Sequence, residues 1–119
     1  MSEQFDSSRP IYAQLVERLK ARILAGTYPP GGHLDSVRDL AAAAGVNPNT
    51  MQRALAQLEQ VGLAKADRTA GRMVTQDTSV LDTVRGAQAR IVMDQYFNAM
   101  AELGYSHAEA AALIEEEKK

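Results

Sequence analysis

Apolar residues recur at every third or fourth position from Pro10 to Ala25. Ile11, Leu15, Leu19 and Ile23 form one line, widened by Tyr12, Val16 and Leu24. This spacing predicts an amphipathic helix that tolerates Pro10 near its start and ends at Gly26, with Asp6, Ser7 or Ser8 as candidate caps. The turn-forming run Thr27–Leu34, with Pro29-Pro30-Gly31-Gly32 at its centre, reads as a loop. A short helix is predicted next. Ser36 is its cap, Asp39 stands where a capping box needs a carboxylate, Val37, Leu40, Ala41 and Ala44 are its apolar positions, and Gly45 ends it. Asn47 caps a further helix with Pro48 at its first position. That helix splits into an apolar stripe of Met51, Leu55, Leu58 and Val61 or Gly62 and an opposite face of Asn49, Gln52, Arg53, Ala56 and Gln60. After Gly62 the period falls to two. Leu63 to Asp67 alternates, Met73-Val74-Thr75 is β-prone, and Arg68-Thr69-Ala70-Gly71-Arg72 forms the turn of a hairpin. A long helical stripe then runs through Val80, Leu81, Val84, Ala87, Ile91, Val92, Gln95, Tyr96, Met100 and Leu103 to Gly104. Ser106 and Glu109 make a capping box for a last helix with Ala110, Leu113 and Ile114 on its apolar side.

The fold class expected from this order is mainly α with a small β-hairpin. Two short helices joined by a tight glycine turn, followed by a hairpin, make an N-terminal winged helix-turn-helix over residues 1–76. Residues 77–119 form a two-helix C-terminal appendage. It is too short for a substantial core of its own, and its apolar stripe calls for a partner surface. Folding back onto the N-terminal domain is one solution. Pairing with a second copy, to give a homodimer, is the preferred one, and it makes Leu81, Val84, Ile91, Val92, Tyr96, Met100 and Leu103 the candidate dimerisation residues.

Composition narrows the function. The 119 residues are 45% hydrophobic and 24% charged, the balance of an ordinary globular chain. Without cysteine there is no disulfide scaffold, thiolate zinc site or cysteine nucleophile, which suits a reducing compartment. No apolar run approaches the roughly 20 residues that span a bilayer, and the first residues lack the basic start and apolar centre of a signal peptide. A cytoplasmic protein with no membrane partner is expected. His33 and His107 stand apart from other ligand types and read as surface residues. No carboxylate pair, Ser-His-Asp arrangement or phosphate loop can be assembled, so neither an enzyme nor a cofactor or metal is expected. The net charge of −2 is unevenly divided. Residues 1–78 carry nine Lys or Arg against eight Asp or Glu, whereas residues 79–119 carry four against seven. The acidic excess lies in the appendage.

The face opposite the apolar stripe of the third helix carries chemistry. Asn49, Thr50, Gln52 and Arg53 offer amide, hydroxyl and guanidinium groups, and no carboxylate occurs before Glu59. These groups read base edges and hold phosphates, although a solvated surface also displays them. Arg38, in the first turn of the preceding helix, suits a phosphate or guanine; its alternative is a salt bridge to Asp35 or Asp39. Arg68 and Arg72 at the hairpin turn suit the negative potential of a minor groove, or else are simply solvated. The candidate DNA-binding set is Ser36, Arg38, Asn49, Thr50, Gln52, Arg53, Arg68, Thr69, Gly71 and Arg72. A winged helix that binds another protein is the competing class. A protein interface more often shows a large apolar anchor than this polar face.

Three stretches in order, IYAQLVERLKARILAGTYPPGGHL, SVRDLAAAAGVNPNTMQRALAQLEQVGLA and RTAGRMV, followed by a brief helical tail, resemble the GntR family of bacterial transcriptional regulators. The short tail and Asn47-Pro48-Asn49-Thr50 resemble its YtrA-type branch. The resemblance covers almost the whole chain. It implies a homodimeric repressor bound to an inverted-repeat operator of double-stranded DNA, control of a nearby transporter operon, and release by an unidentified small-molecule effector whose site no residue set marks. It places the family's DNA contacts on Arg38, Asn49, Thr50, Gln52 and Arg53 and its wing glycine on Gly71. The chain departs from the family pattern in having Asp35 where proline is usual. It also has Thr69-Ala70-Gly71-Arg72 in place of the wing's Gly-x-Gly-Thr.

Overall fold

Caps and glycines divide the chain much as the spacing predicts. A computed structural model describes residues 4–67 and 71–117. The element order is α1 (Ile11–Leu24), α2 (Val37–Ala44), α3 (Pro48–Gln60), β1 (Ala64–Asp67), β2 (Gly71–Val74), α4 (Thr78–Glu102) and α5 (His107–Glu117). The chain divides into two compact units, Met1–Asp82 and Thr83–Lys119.

In the first unit, α2 starts at Ser36, whose hydroxyl accepts the Asp39 amide at 3.1 Å. Asp39 returns no bond to Ser36 among the described residues, as befits a carboxylate one methylene shorter than the Glu of a full capping box. Gly45, at φ 72°, reverses the chain after α2. The amides of Gly45 and Val46 turn back onto the carbonyls of Ala42 and Ala41, so the last turn is satisfied before α3 begins. Asn47 then caps α3, its side-chain oxygen accepting the Asn49 amide at 2.7 Å, with Pro48 in the first turn. The turn between the two helices is therefore specified from both sides, and that fixes the direction of α3.

The core of this unit is built from Leu15, Leu19 and Ile23 of α1, Leu40, Ala41 and Ala44 of α2, and Met51, Ala54, Leu55 and Leu58 of α3. Leu34, Leu63, Val74 and Leu81 close it. Burying one such leucine contributes about 1.5–3 kcal/mol relative to leaving it in water. Two positions differ from the expected spacing. Ile11 is exposed, while the polar Gln14 is 2% exposed. Gln14 is satisfied there: its carbonyl accepts the Asp6 amide at 2.8 Å, and its amide donates to the carbonyls of Asp6 (2.7 Å) and Arg9 (3.0 Å). It ties the segment before α1 in place. None of the predicted side-chain caps holds α1, whose cap is Pro10; Asp6 instead accepts the amide and hydroxyl of Ser8.

β1 and β2 pair antiparallel, with Ala64 opposite Val74 and Asp67 opposite Gly71. The predicted loop before α2 adds to this hairpin. The Gly31 amide donates to the Val74 carbonyl, the Val74 amide to Gly32 and the Leu34 amide to the Arg72 carbonyl, all at 2.9–3.0 Å. His33 thus lies in a bridge with Met73 and keeps its exposed position.

The predicted boundary at residue 76 moves to the far side of the first turn of α4. Asp77 caps that helix through the Ser79 amide at 2.9 Å. Leu81 is buried with the first unit. Leu81, expected on the dimerisation stripe, is thus packed in the winged-helix core of its own chain.

In the second unit the Tyr96 hydroxyl donates to the Ala110 carbonyl at 2.7 Å, and the Phe97 ring stacks on His107 with centroids 3.8 Å apart. Ser106 and Glu109 form the full reciprocal box: the Ser106 amide donates to Glu109 at 2.8 Å and the Glu109 amide to Ser106 at 3.1 Å. Of the long stripe expected on α4, Val84, Tyr96 and Met100 are half-buried, whereas Ile91, Val92 and Leu103 are exposed. Among the described residues the stripe is thus covered only in part.

Candidate nucleic-acid interface

The apolar side of α3 is fully used by the core, so its other side must face outward. Ala54 is completely buried and takes the place in the stripe expected of Val61, which is exposed beyond the end of the helix. Helix geometry then leaves Asn49, Gln52, Arg53, Ala56, Gln57 and Gln60 exposed, with Thr50 half-buried. The one carboxylate of α3, Glu59, is removed from this face by an ion pair with Arg72 of β2. The Arg72 side chain is 16% exposed and that of Glu59 32%. What α3 shows to solvent is therefore amide and guanidinium, with no uncompensated acid. Such groups donate to phosphate oxygens and to the edges of guanine and adenine.

The sequence places Arg72 at a solvent-facing wing tip. The structure places it within β2 and ties it to α3. Pairing with Glu59 neutralises the only acid of α3 and anchors the wing to it. Arg68 and Thr69 lie outside the described residues. Gly71 has φ 76° and nothing within 4 Å of where a Cβ would stand, so the backbone conformation, and not crowding, calls for glycine here.

Arg38 is exposed, and among the described residues it pairs with neither Asp35 nor Asp39. Its guanidinium, in the first turn of α2, is available to a ligand. Ser36 is exposed but its hydroxyl oxygen is engaged as the cap. Arg53 lies over the Tyr12 ring, with its guanidinium carbon 3.6 Å from the centroid. An open groove at this point is lined by Pro10, Ile11, Tyr12, Asn49, Thr50 and Arg53. Tyr12 and Glu59 are the participants that spacing missed. Tyr12 was legible only as an apolar position widening the α1 stripe.

Among the described residues no group of His, Asp and Glu could hold a metal ion. No helix formed by them is long and apolar enough to cross a membrane.

Comparison with known proteins agrees with this geometry. The family model for bacterial regulatory proteins of the gntR family matches residues 11–74, the span from α1 to the end of β2. The chain is 33% identical to the uncharacterized HTH-type transcriptional regulator YhcF of Bacillus subtilis over 92% of its length and 90% of that protein's. It is 30% identical to the HTH-type transcriptional repressor YtrA of the same organism, over 92% of this chain and 82% of that one. Among solved structures, a GntR family transcriptional regulator from Listeria monocytogenes superposes with a TM-score of 0.84 at 34% identity, covering 94% of this chain and 98% of the other. The DNA-binding domain of AraR, solved in complex with an operator, covers 63% of this chain and 88% of its own, with a TM-score of 0.54 at 25% identity.

Proposed function

Because the chain belongs to the gntR family of bacterial regulatory proteins, and is thus a transcriptional regulator with a winged-helix DNA-binding domain, we propose that it acts as a homodimeric repressor of a transporter operon. In this reading each α3 enters a major groove of an inverted-repeat operator, with Asn49, Thr50, Gln52 and Arg53 at the bases and Arg38 at a phosphate or guanine. The wing, with Arg68, Thr69 and Gly71, reaches the flanking minor groove. Arg72 acts at one remove, by holding the wing on α3. Occupying the promoter blocks transcription, and a small-molecule effector releases the protein.

The observation that carries this reading is the exposed face of α3, whose single acid is paired with Arg72. Repression is suggested by the similarity to YtrA, a repressor by name, and the operator by the complex of the AraR domain. The dimer is suggested by exposed Ile91, Val92 and Met93 on α4 and Leu103 just beyond its end. Selection of bound sequences from random DNA tests the reading: an inverted repeat should emerge, and binding should weaken steeply with salt. Recovery of no sequence, or an affinity that salt does not change, would count against it. Each base-reading side chain contributes roughly 1–3 kcal/mol, so Arg53→Ala should weaken binding of the selected operator tenfold or more at fixed salt.

A further inference from the structure

α1 contributes an aromatic ring to the outward face of α3, and its proposed role rests on the reading that this face meets DNA. Tyr12 is half-buried in the first turn of α1, and the guanidinium carbon of Arg53 sits 3.6 Å from the centre of its ring. Arg53 is otherwise exposed, and among the described residues no carboxylate pairs with it. Asn49 and Thr50, one turn earlier on α3, line the same groove. We propose that Tyr12 is a positioning residue for operator recognition: its ring holds the Arg53 guanidinium in one direction and so sets the base preference where Arg53 reads.

The two contacts use different parts of the guanidinium. An aromatic ring attracts the flat face of the cation. The N–H donors lie in the guanidinium plane and point outward from its edge, in the fork that matches a guanine edge or a phosphate. Stacking therefore leaves the donors available. It also restricts a side chain that would otherwise sample many rotamers in water and lose most of them on binding. Pre-orientation of this kind raises affinity by lowering that ordering cost. An aliphatic side chain of similar bulk fills the space but has no face to attract the cation. For an exposed pair the expected difference is about two- to fivefold in affinity.

The experiment uses the full chain and the operator that the wild-type protein selects from random DNA. Tyr12→Leu should weaken binding two- to fivefold and relax the base preference at the position that Arg53→Ala also relaxes. Other positions should keep theirs. Tyr12→Phe should restore both affinity and preference. The double variant Tyr12→Leu with Arg53→Ala should bind no more weakly than Arg53→Ala alone, because the ring acts only through Arg53. Should Tyr12→Leu lower the melting temperature into the assay range, Tyr12→Met takes its place with the same expectations. The inference is overturned if the aliphatic variant binds as well as wild type or better, if it relaxes every position alike, if its effect multiplies with that of Arg53→Ala, or if Tyr12→Phe fails to restore the preference. In each of those cases the wild-type protein still selects an operator, and the reading of α3 stands. If the wild-type chain selects no sequence, that reading falls and this inference with it.

Discussion

The two compact units of this chain treat their apolar residues in opposite ways. Residues up to Asp82 bury leucines from every helix they contain, and Leu58 and Leu63 are wholly out of water. From Thr83 onward Ala110 is the one buried apolar residue among those described, while Val92 is 61% exposed and Leu103 73%. The first unit satisfies itself: each short helix has an amphipathic face and a neighbour to set it against. The second has large apolar side chains and only one other helix to receive them. A single chain buries the large apolar side chains of the first unit and leaves Ile91, Val92, Met93 and Leu103 of the second exposed.

The contrast can be broken most severely in the core. Leu58→Ala removes a side chain with no access to water and should lower stability by about 2–5 kcal/mol, measured by denaturant unfolding. If the loss is under about 1 kcal/mol, the first unit is not a well-packed body. Replacing Ile91 and Val92 together by Asp should leave that unit's fold intact and dissociate the proposed dimer. Sedimentation reports the change of mass, and operator affinity should fall on the order of a hundredfold as the second half-site is lost. A double variant that remains dimeric places the interface elsewhere. Arg38→Ala should weaken operator binding by about 1–3 kcal/mol with no change in melting temperature; a gel shift and a thermal melt decide it.

Smaller effects test the helix starts. Ser106→Ala removes half of a reciprocal capping box and should cost α5 about 1 kcal/mol, seen as faster amide exchange in its first turn. The Glu109 carboxyl is held below its ordinary pKa by the Ser106 amide and then by its hydroxyl. A depressed folded pKa contributes stability that is fully present above the unfolded value and is lost as pH falls through the lowered one. The Ser106 amide resonance should therefore shift only in acid, below the usual range of a glutamate, and Glu109→Gln should abolish the shift. Asp77, held down first by the Ser79 hydroxyl and then by its amide, should give the same sign at the start of α4.

The difference between the units also explains what the sequence disclosed. Caps and glycine stops act through bonds between near neighbours, so Ser36, Asn47 and Ser106 are legible from the few residues on either side of them. Spacing found the acid-poor face of α3 because a helix displays its period directly. It could not find the ion pair of Glu59 with Arg72, thirteen residues apart, nor the ring beneath Arg53, since both depend on how distant elements pack. Gln14 was missed for a related reason. Its burial is favourable only because the Asp6–Arg9 backbone supplies partners, and nothing in its own neighbourhood announces that. On α4 the pattern indicated an apolar stripe, yet a stripe does not say whose surface covers it. Leu81, at its start, belongs to the preceding core.

One consequence of the Gly31–Leu34 strip concerns solubility. A two-stranded hairpin projecting from a small protein has two raw edges, each able to recruit a strand from another chain. The strip bonds along β2 and closes one of them. The remaining edge belongs to β1, which is four residues long and carries Lys65 and Asp67. An edge so short and so charged is a poor template for strand addition. The described strands of the wing therefore offer little to strand addition from another chain.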